Sequence, residues 1–211
     1  MFRRTRPPAR PPLRLHVGAG DKPLPGWVNV DRKPLPGVDV VADVTAGLDF
    51  DGVEAVFGEH FLEHLAPLDA IGFLLEVHRV LAPGGMIRLS TPNLDWVWRT
   101  HYPLQAPDDQ RRLAAICTNR AFHGWGHRFL WNRELLAAAL AACGFVDLAW
   151  CRYGESAREL FRGVEGHERC EDEPDFPHVL IVEGTRGTPR PAELAALREV
   201  IEREFVRHLT E

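Results

Sequence analysis

The sequence lacks any run approaching the roughly 20 consecutive apolar residues that a membrane-spanning helix needs. Its four cysteines, Cys117, Cys143, Cys151 and Cys170, form no C-x-x-C pair, which argues against a structural zinc ribbon and a disulfide scaffold. A net charge of -5 supplies no overall basic field, so nucleic-acid binding is not expected. These absences predict a cytoplasmic protein that acts on neither membranes nor nucleic acids.

The chain of 211 residues is long enough for one domain with a hydrophobic core. Residues 1–12 are rich in Arg and Pro and hold no apolar segment, so they predict a disordered tail rather than a secretory signal. We assign the folded domain to residues 13–187 and a C-terminal amphipathic helix to 188–211. The apolar stripe of that helix either packs back on the sheet or forms a homodimer; it consists of Leu194, Leu197, Ile201, Phe205 and Leu209.

Short apolar runs bounded by Gly and Pro predict strands, and apolar residues three and four positions apart predict helices. The strands are expected at 13–17, 27–31, 38–44, 53–58, 86–92, 145–153 and 178–185. The helices are expected at 67–81, 108–118 and 132–143. This alternation indicates an α/β protein with a mostly parallel sheet covered by helices, whose last two strands form an antiparallel pair. The aromatic, irregular segment 93–131 predicts a lid over a substrate.

Glycines and polar residues recur where the predicted strands end. Gly18 and Gly20 follow the first strand in "LHVGAGD", and glycine there allows a tight turn close to a ligand. Asp31 ends the second strand, where a carboxylate can accept hydrogen bonds from both ribose hydroxyls. Asp43 and His60 fall near the ends of the third and fourth strands. Because open α/β sheets bind ligands at these ends, the residues predict a nucleotide site along one sheet edge.

The stretch "GEHFLEHL" (58–65) contains the H-x-x-E-H pattern of one class of zinc peptidase, formed by His60, Glu63 and His64. That chemistry needs both histidines on one face of a continuous helix, with a third ligand elsewhere. Here the pattern follows a strand and precedes Pro67, which indicates a strand-to-helix connection. We therefore expect no metal, with a zinc hydrolase as a remote alternative. His64 is expected to cap or pack locally, and Glu63 either caps or ties the ligand-binding loop.

A second histidine cluster, "FHGWGH" (122–127), lies in the lid-like segment, and its two glycines argue against a preformed helix. Long loops on rigid scaffolds usually carry function. The alternative is that the tryptophans simply pack beneath the loop. The candidates for substrate contact or proton abstraction are His101, Tyr102, His123, Trp125, His127 and Arg128.

Four stretches together carry a family resemblance: "LHVGAGDKPLPGWVNVDR", "FGEHFLEHL", "LLEVHRVLAPGGMIRLSTPNL" and "LLAAALAACGF". Over residues 13–150 the chain resembles the class I S-adenosylmethionine-dependent methyltransferases, and within them the bacterial small-molecule type. The resemblance implies a Rossmann-like, seven-stranded, mostly parallel sheet with helices on both faces and an antiparallel C-terminal strand. It also implies S-adenosylmethionine as cofactor and methyl transfer to an O or N atom of a small-molecule acceptor.

The resemblance assigns cofactor contacts to Gly18, Ala19 and Gly20 at the methionine, Asp31 at the ribose, Asp43 and Val44 at the adenine, and Glu59 and His60 near the transferred methyl. A hydroxyl acceptor would also profit from a general base. His60 is the first candidate for that base, and His123 or His127 are the others.

One feature departs from the family pattern. Residues 21–26 leave no room for the helix that most members have between the first two strands. One wall of the cofactor pocket must therefore be built differently, by the N-terminal arm or by 93–131. The same departure supports an alternative function, a non-catalytic cofactor-binding or scaffold protein of this fold.

Overall fold

The computed structural model describes residues 12–101, 107–167, 173 and 176–209. Most of the expected tail, and also Tyr102 and Cys170, lie outside these residues. The strands are β1 (Arg14–Val17), β2 (Val28–Asp31), β3 (Val40–Val41), β4 (Val53–Glu59), β5 (Leu81–Pro92), β6 (Phe145–Trp150) and β7 (Val179–Arg186). The α-helices are α1 (Pro67–Val80), α2 (Leu94–His101), α3 (Asp108–His123), α4 (Arg133–Ala142) and α5 (Pro191–Glu204).

The seven strands form one sheet in the order β3-β2-β1-β4-β5-β7-β6. Strands β1 to β5 pair in parallel, whereas β7 lies antiparallel between β5 and β6. The predicted Rossmann-like, mostly parallel sheet with an antiparallel C-terminal strand is confirmed. The chain runs outward from β1 to β3 and then returns to β4 on the other side of β1. Such a reversal opens a crevice at the carboxyl ends of β1 and β4.

One face of the sheet carries the main hydrophobic core. Helices α1, α4 and α5 pack there, and Leu74 and Leu140 are fully buried against strand residues such as Val56. Helix α1 has Pro67 in its first turn, where the missing amide hydrogen costs nothing. Helix α4 is capped by the Asn132 side chain, which accepts a hydrogen bond from the Leu135 amide.

Helix α5 packs back against α4 and α1. Its residues Leu194, Leu197 and Ile201 join the main core, and Phe205 meets Phe129 with ring centroids 5.2 Å apart. Most of the predicted apolar stripe therefore serves the chain's own core. The homodimer through this helix stays a prediction.

The opposite face differs from the expectation of helices on both sides of the sheet. Its hydrophobic cluster contains no α-helical residue within the described part of the chain. Instead Phe57 of β4 packs against Trp27 from the β1–β2 connection and Phe161 from a 3-10 helix, Glu159–Phe161. The reason is the short connections, since neither 18–27 nor 32–39 forms a helix.

A buried ionic network fastens the 153–167 segment to this second face. The guanidinium of Arg88 on β5 contacts Glu165 at 2.6 Å and Glu183 of β7 at 2.5 Å, and none of its side chain is exposed. The other Glu165 oxygen accepts a hydrogen bond from the Gly154 amide. Segment 153–167 thus covers the sheet face that the missing helix leaves open. At the strand ends, Trp125, Gly126 and Arg128 of 93–131 line the cavity described below, which agrees with the expectation that this segment supplies one of its walls.

Residues 93–131 form more helix than expected. Helix α2 was not predicted, and α3 extends to His123 rather than to 118. The two helices pack on each other around Val97 and Ala121, and Asn93 and Trp131 form a bridge at the base of the segment.

Strand β3 covers only Val40–Val41, whereas the sequence predicted a strand over 38–44. Among the helices that the structure describes, none is both long and apolar enough to cross a membrane.

Candidate functional site

A cavity of about 480 Å³ opens at the carboxyl ends of β1, β2 and β4. It collects all five residues predicted from the strand ends, Gly18, Gly20, Asp31, Asp43 and His60, and also Val44, which the family resemblance added. The topological switch point brings these residues together, since β1 is flanked by β2 on one side and β4 on the other.

The glycine turn after β1 is shaped by close packing and by one carboxylate. Gly18 has φ +66°, and a Cβ added there would lie 2.5 Å from Cδ2 of Phe61. Gly20 has φ +54°, and its amide donates to Oδ2 of Asp31 at 3.0 Å. Ala19 is buried between them, donates its amide to the Val30 carbonyl, and is not among the residues lining the cavity. The turn therefore presents backbone, not side chains, to the cavity.

Asp31 and Asp43 give this cavity its negative end. Oδ1 of Asp31 accepts a hydrogen bond from the Lys33 amide at 2.8 Å, and the carboxylate keeps free lone pairs for further donors. Asp43 accepts hydrogen bonds from the hydroxyl and the amide of Thr45, and these lower the pKa of its carboxyl. Both acids line the cavity and can accept hydrogen bonds from donor groups of a ligand there.

Glu59 is engaged away from this cavity and is not among its lining residues. Its carboxylate accepts hydrogen bonds from the amides of Gly166 and His167 and contacts the His167 ring. Burial alone would raise the pKa of Glu59, but the bonds from His167 and Gly166 outweigh it and lower the pKa. Glu59 thus ties 153–167 to the end of β4, whereas a position near the methyl group was expected.

A second cavity of about 530 Å³ adjoins the first beneath α2 and α3. Three residues, His60, His64 and Trp125, line both cavities. Three of the expected substrate candidates, His101, Trp125 and His127, line the second one, and Arg128 lines the first. His123 lines neither and is exposed at the end of α3, so the structure gives it no place beside either cavity.

The junction of the cavities holds unusual backbone. His60 has φ 45° and Trp125 has φ 55°. Both angles lie in the left-handed region, which residues other than glycine and asparagine seldom adopt. In the described chain only Asp147 shares this property among non-glycine residues. Such conformations cost energy and cluster at functional sites. The strained positions therefore mark the junction as a place where side-chain direction matters.

The H-x-x-E-H pattern does not form the helix that the peptidase interpretation requires. Strand β4 ends at Glu59, His60 is left-handed, and only Leu62–His64 forms a 3-10 turn. Glu63 is fully buried, and its carboxylate contacts Nδ1 of His60 at 3.0 Å and the hydroxyl of Thr91 at 3.1 Å. These contacts hold the segment after β4 to β5, and the tie of Glu63 to a ligand-binding loop stays a prediction.

Several residues of the second cavity were missed by the sequence analysis. His64 was expected to cap locally but lines both cavities, and His178, Trp96 and Arg120 were not chosen at all. Burial, reinforced by the charge of Arg120, lowers the pKa of His101. His178 lies directly before β7, and no local sequence signal links it to the lid-like segment.

Comparison with known proteins places the fold. No protein-family model and no curated protein matches the chain. A solved methyltransferase from Archaeoglobus fulgidus, described as S-adenosylmethionine dependent, is 17% identical over 83% of this chain and 86% of its own, with a TM-score of 0.51. A "possible histamine N-methyltransferase" from Thermotoga maritima is 14% identical over 84% of each chain, with a TM-score of 0.54.

Another solved structure, a possible exported protein from Bordetella parapertussis, is 14% identical over 85% of this chain, with a TM-score of 0.52. This chain spans 63% of its length. At identities this low, the structural similarity establishes the architecture alone. That architecture agrees with the strand order and with the cavity at the switch point. The chain has the Rossmann-like fold of the class I S-adenosylmethionine-dependent methyltransferases.

Proposed function

We propose that this protein transfers a methyl group from S-adenosylmethionine to an O or N atom of a small-molecule acceptor. The observation that carries the proposal is the meeting of two cavities at His60, His64 and Trp125. One cavity has the glycines and acids suited to a nucleoside cofactor. The other has the size of a small-molecule site.

The residues of the first cavity fit S-adenosylmethionine. The turn at Gly18 and Gly20 has no Cβ to obstruct a ligand, and Asp31 keeps acceptor capacity for ribose hydroxyls. Asp43 would accept from the adenine amino group, beside the buried Val44. When bound, this cofactor supplies an electrophilic methyl group on a sulfonium.

The second cavity would bind and orient the acceptor. Trp96, Val97 and Pro92 give it apolar surface, and its histidines and Arg120 give a few polar groups that fix an orientation. His60 at the junction is our candidate to accept the proton of a hydroxyl acceptor, whereas an amine acceptor needs no base. His127 is the second candidate, and His123 is set aside because of its exposed position.

Calorimetry with S-adenosylmethionine and S-adenosylhomocysteine tests the cofactor part of the proposal. We expect one site for each, and the absence of binding by both would overturn the proposal. A panel of phenols, sugars and amines with methyl-labelled S-adenosylmethionine then tests transfer. Label in any of these acceptors supports the enzyme. Cofactor binding without label in any acceptor supports the alternative of a non-catalytic binding protein.

A further inference from the structure

We propose that Glu63, His64 and His127 form a binding site for a divalent transition-metal ion, represented by Zn²⁺, in the wall of the second cavity. One carboxylate oxygen and one ring nitrogen from each histidine lie within 4.8 Å of one another. Zinc ligands lie about 2.0–2.2 Å from the ion, so tetrahedral ligand atoms are separated by roughly 3.4 Å. Side-chain adjustments on the order of 1 Å would close the group around an ion.

The two histidines are already oriented by backbone carbonyls. Nδ1 of His64 lies 3.2 Å from the Gly126 carbonyl oxygen, and Nδ1 of His127 lies 2.8 Å from that of Ala121. A carbonyl oxygen only accepts hydrogen bonds, so Nδ1 of each histidine must carry the ring hydrogen that it donates. The Nε2 atom of each neutral ring then keeps a lone pair. Metal-binding histidines usually have this arrangement, because the outer hydrogen bond fixes the tautomer and the ring direction. The two ring centroids are 5.3 Å apart.

Glu63 supplies the negative charge. Its side chain is 0% exposed, and its oxygens contact the His60 ring and the Thr91 hydroxyl. Within the described chain, no Lys or Arg pairs with this carboxylate in an ion pair. Buried carboxylates are normally paired with a cation or coordinate a metal. A divalent ion held with His64 and His127 would balance this charge.

The site differs from the H-x-x-E-H pattern, because His127 from the lid-like segment takes the place of His60. The 3-10 turn Gly124–Gly126, with left-handed Trp125, carries His127 to His64. All three ligands line the second cavity. Two histidines and a glutamate with one open position are the ligand set of catalytic zinc sites, in which the open position takes water or substrate. That the open position would take an acceptor oxygen rests on the proposed function, but the metal site itself does not.

The test is metal binding by the full-length protein after treatment with a chelator. We expect calorimetry to show one equivalent of Zn²⁺, and Co²⁺ to give the visible absorption of a four-coordinate site. His64→Ala and His127→Ala should each weaken binding by more than the roughly 10–100-fold that loss of an outer hydrogen-bond partner costs. His123→Ala, an exposed histidine from the same cluster, is the matched control and should bind as the wild type does.

Three results would overturn the metal site. The first is the absence of stoichiometric Zn²⁺ binding. The second is equal Zn²⁺ binding by the wild type and by both histidine variants. The third is Zn²⁺ binding that is lost in His60→Ala and retained in His127→Ala.

For Glu63→Gln, Zn²⁺ binding is measured together with the unfolding temperature, since this buried side chain also supports the fold. S-adenosylhomocysteine binding is measured on the same samples. If it persists without metal binding, only this inference fails, and if metal binds without it, only the proposed function fails.

Discussion

Gly18 and Phe61 both line the first cavity, and they are so close that a Cβ on Gly18 would lie 2.5 Å from the Phe61 ring. The turn after β1 and the segment after β4 are therefore fitted to each other. This close packing leaves no room for an added methyl group at Gly18, so the backbone of the glycine turn lies directly against the segment after β4.

We expect Gly18→Ala to lower stability and to weaken S-adenosylhomocysteine binding. The matched control is Gly52→Ala, because Gly52 has the same φ of +66° and its Cβ would meet nothing within 4 Å. In Gly52→Ala the free energy of unfolding should fall only by the strain of a left-handed alanine, about 1–2 kcal/mol. Binding should be unchanged in this control. Urea unfolding and calorimetry on both variants give the comparison. Equal effects of the two substitutions would contradict the proposed packing against Phe61.

The Arg88 network predicts a large loss of stability when its cation is removed. Arg88→Met leaves Glu165 and Glu183 buried without their partner, and breaking a buried pair in this way costs about 3–5 kcal/mol. Arg203→Met is the control, since Arg203 pairs with Glu204 at the surface, where solvent screening leaves an ion pair little effect on stability. The free energies of unfolding in urea should differ accordingly. Similar losses in both variants would show that the network does not hold 153–167 in place.

Glu59 predicts a pH dependence of stability. Hydrogen bonds lower its pKa in the folded protein below the usual value near 4.5. A carboxylate with a depressed folded pKa stabilises fully above its unfolded pKa, and this contribution is lost as the pH falls through the folded value. The stability difference between wild type and Glu59→Gln should therefore be constant near neutrality and shrink below about pH 4.5. Urea unfolding across pH 3–7 measures it, with Glu202→Gln, an exposed carboxylate of α5, as control. A difference that does not shrink in acid would contradict the role given to Glu59.

The sequence predicted the sheet and much of the first cavity because both depend on local patterns. Buried runs such as that of β4 mark strands directly, and Gly18, Gly20 and Asp31 lie at strand ends where ligand sites form. The position of β7 between β5 and β6 has no such local mark. Helix α2 escaped prediction because it has only eight residues, too few for its apolar periodicity to stand out in the sequence.

The second cavity could not be predicted because contacts between distant residues build it. His64 meets His127, and Glu59 meets His167, only once the sheet has brought their segments together. Glu59 is the last residue of β4, at the end of the strand where cofactor ligands lie, so its position alone suggested a role at the methyl group. The structure instead uses its charge to hold the segment that replaces the missing helix.

The most direct test of the account is calorimetric titration with S-adenosylhomocysteine of the wild type, Asp31→Ala and Asp51→Ala. Asp31 lines the first cavity and shapes the glycine turn, whereas Asp51 is an exposed acid in the loop before β4. The account predicts tight binding by the wild type and by Asp51→Ala, and at least tenfold weaker binding by Asp31→Ala, which corresponds to about 1.4 kcal/mol. Equal affinity of all three proteins, or no binding by the wild type, would contradict it.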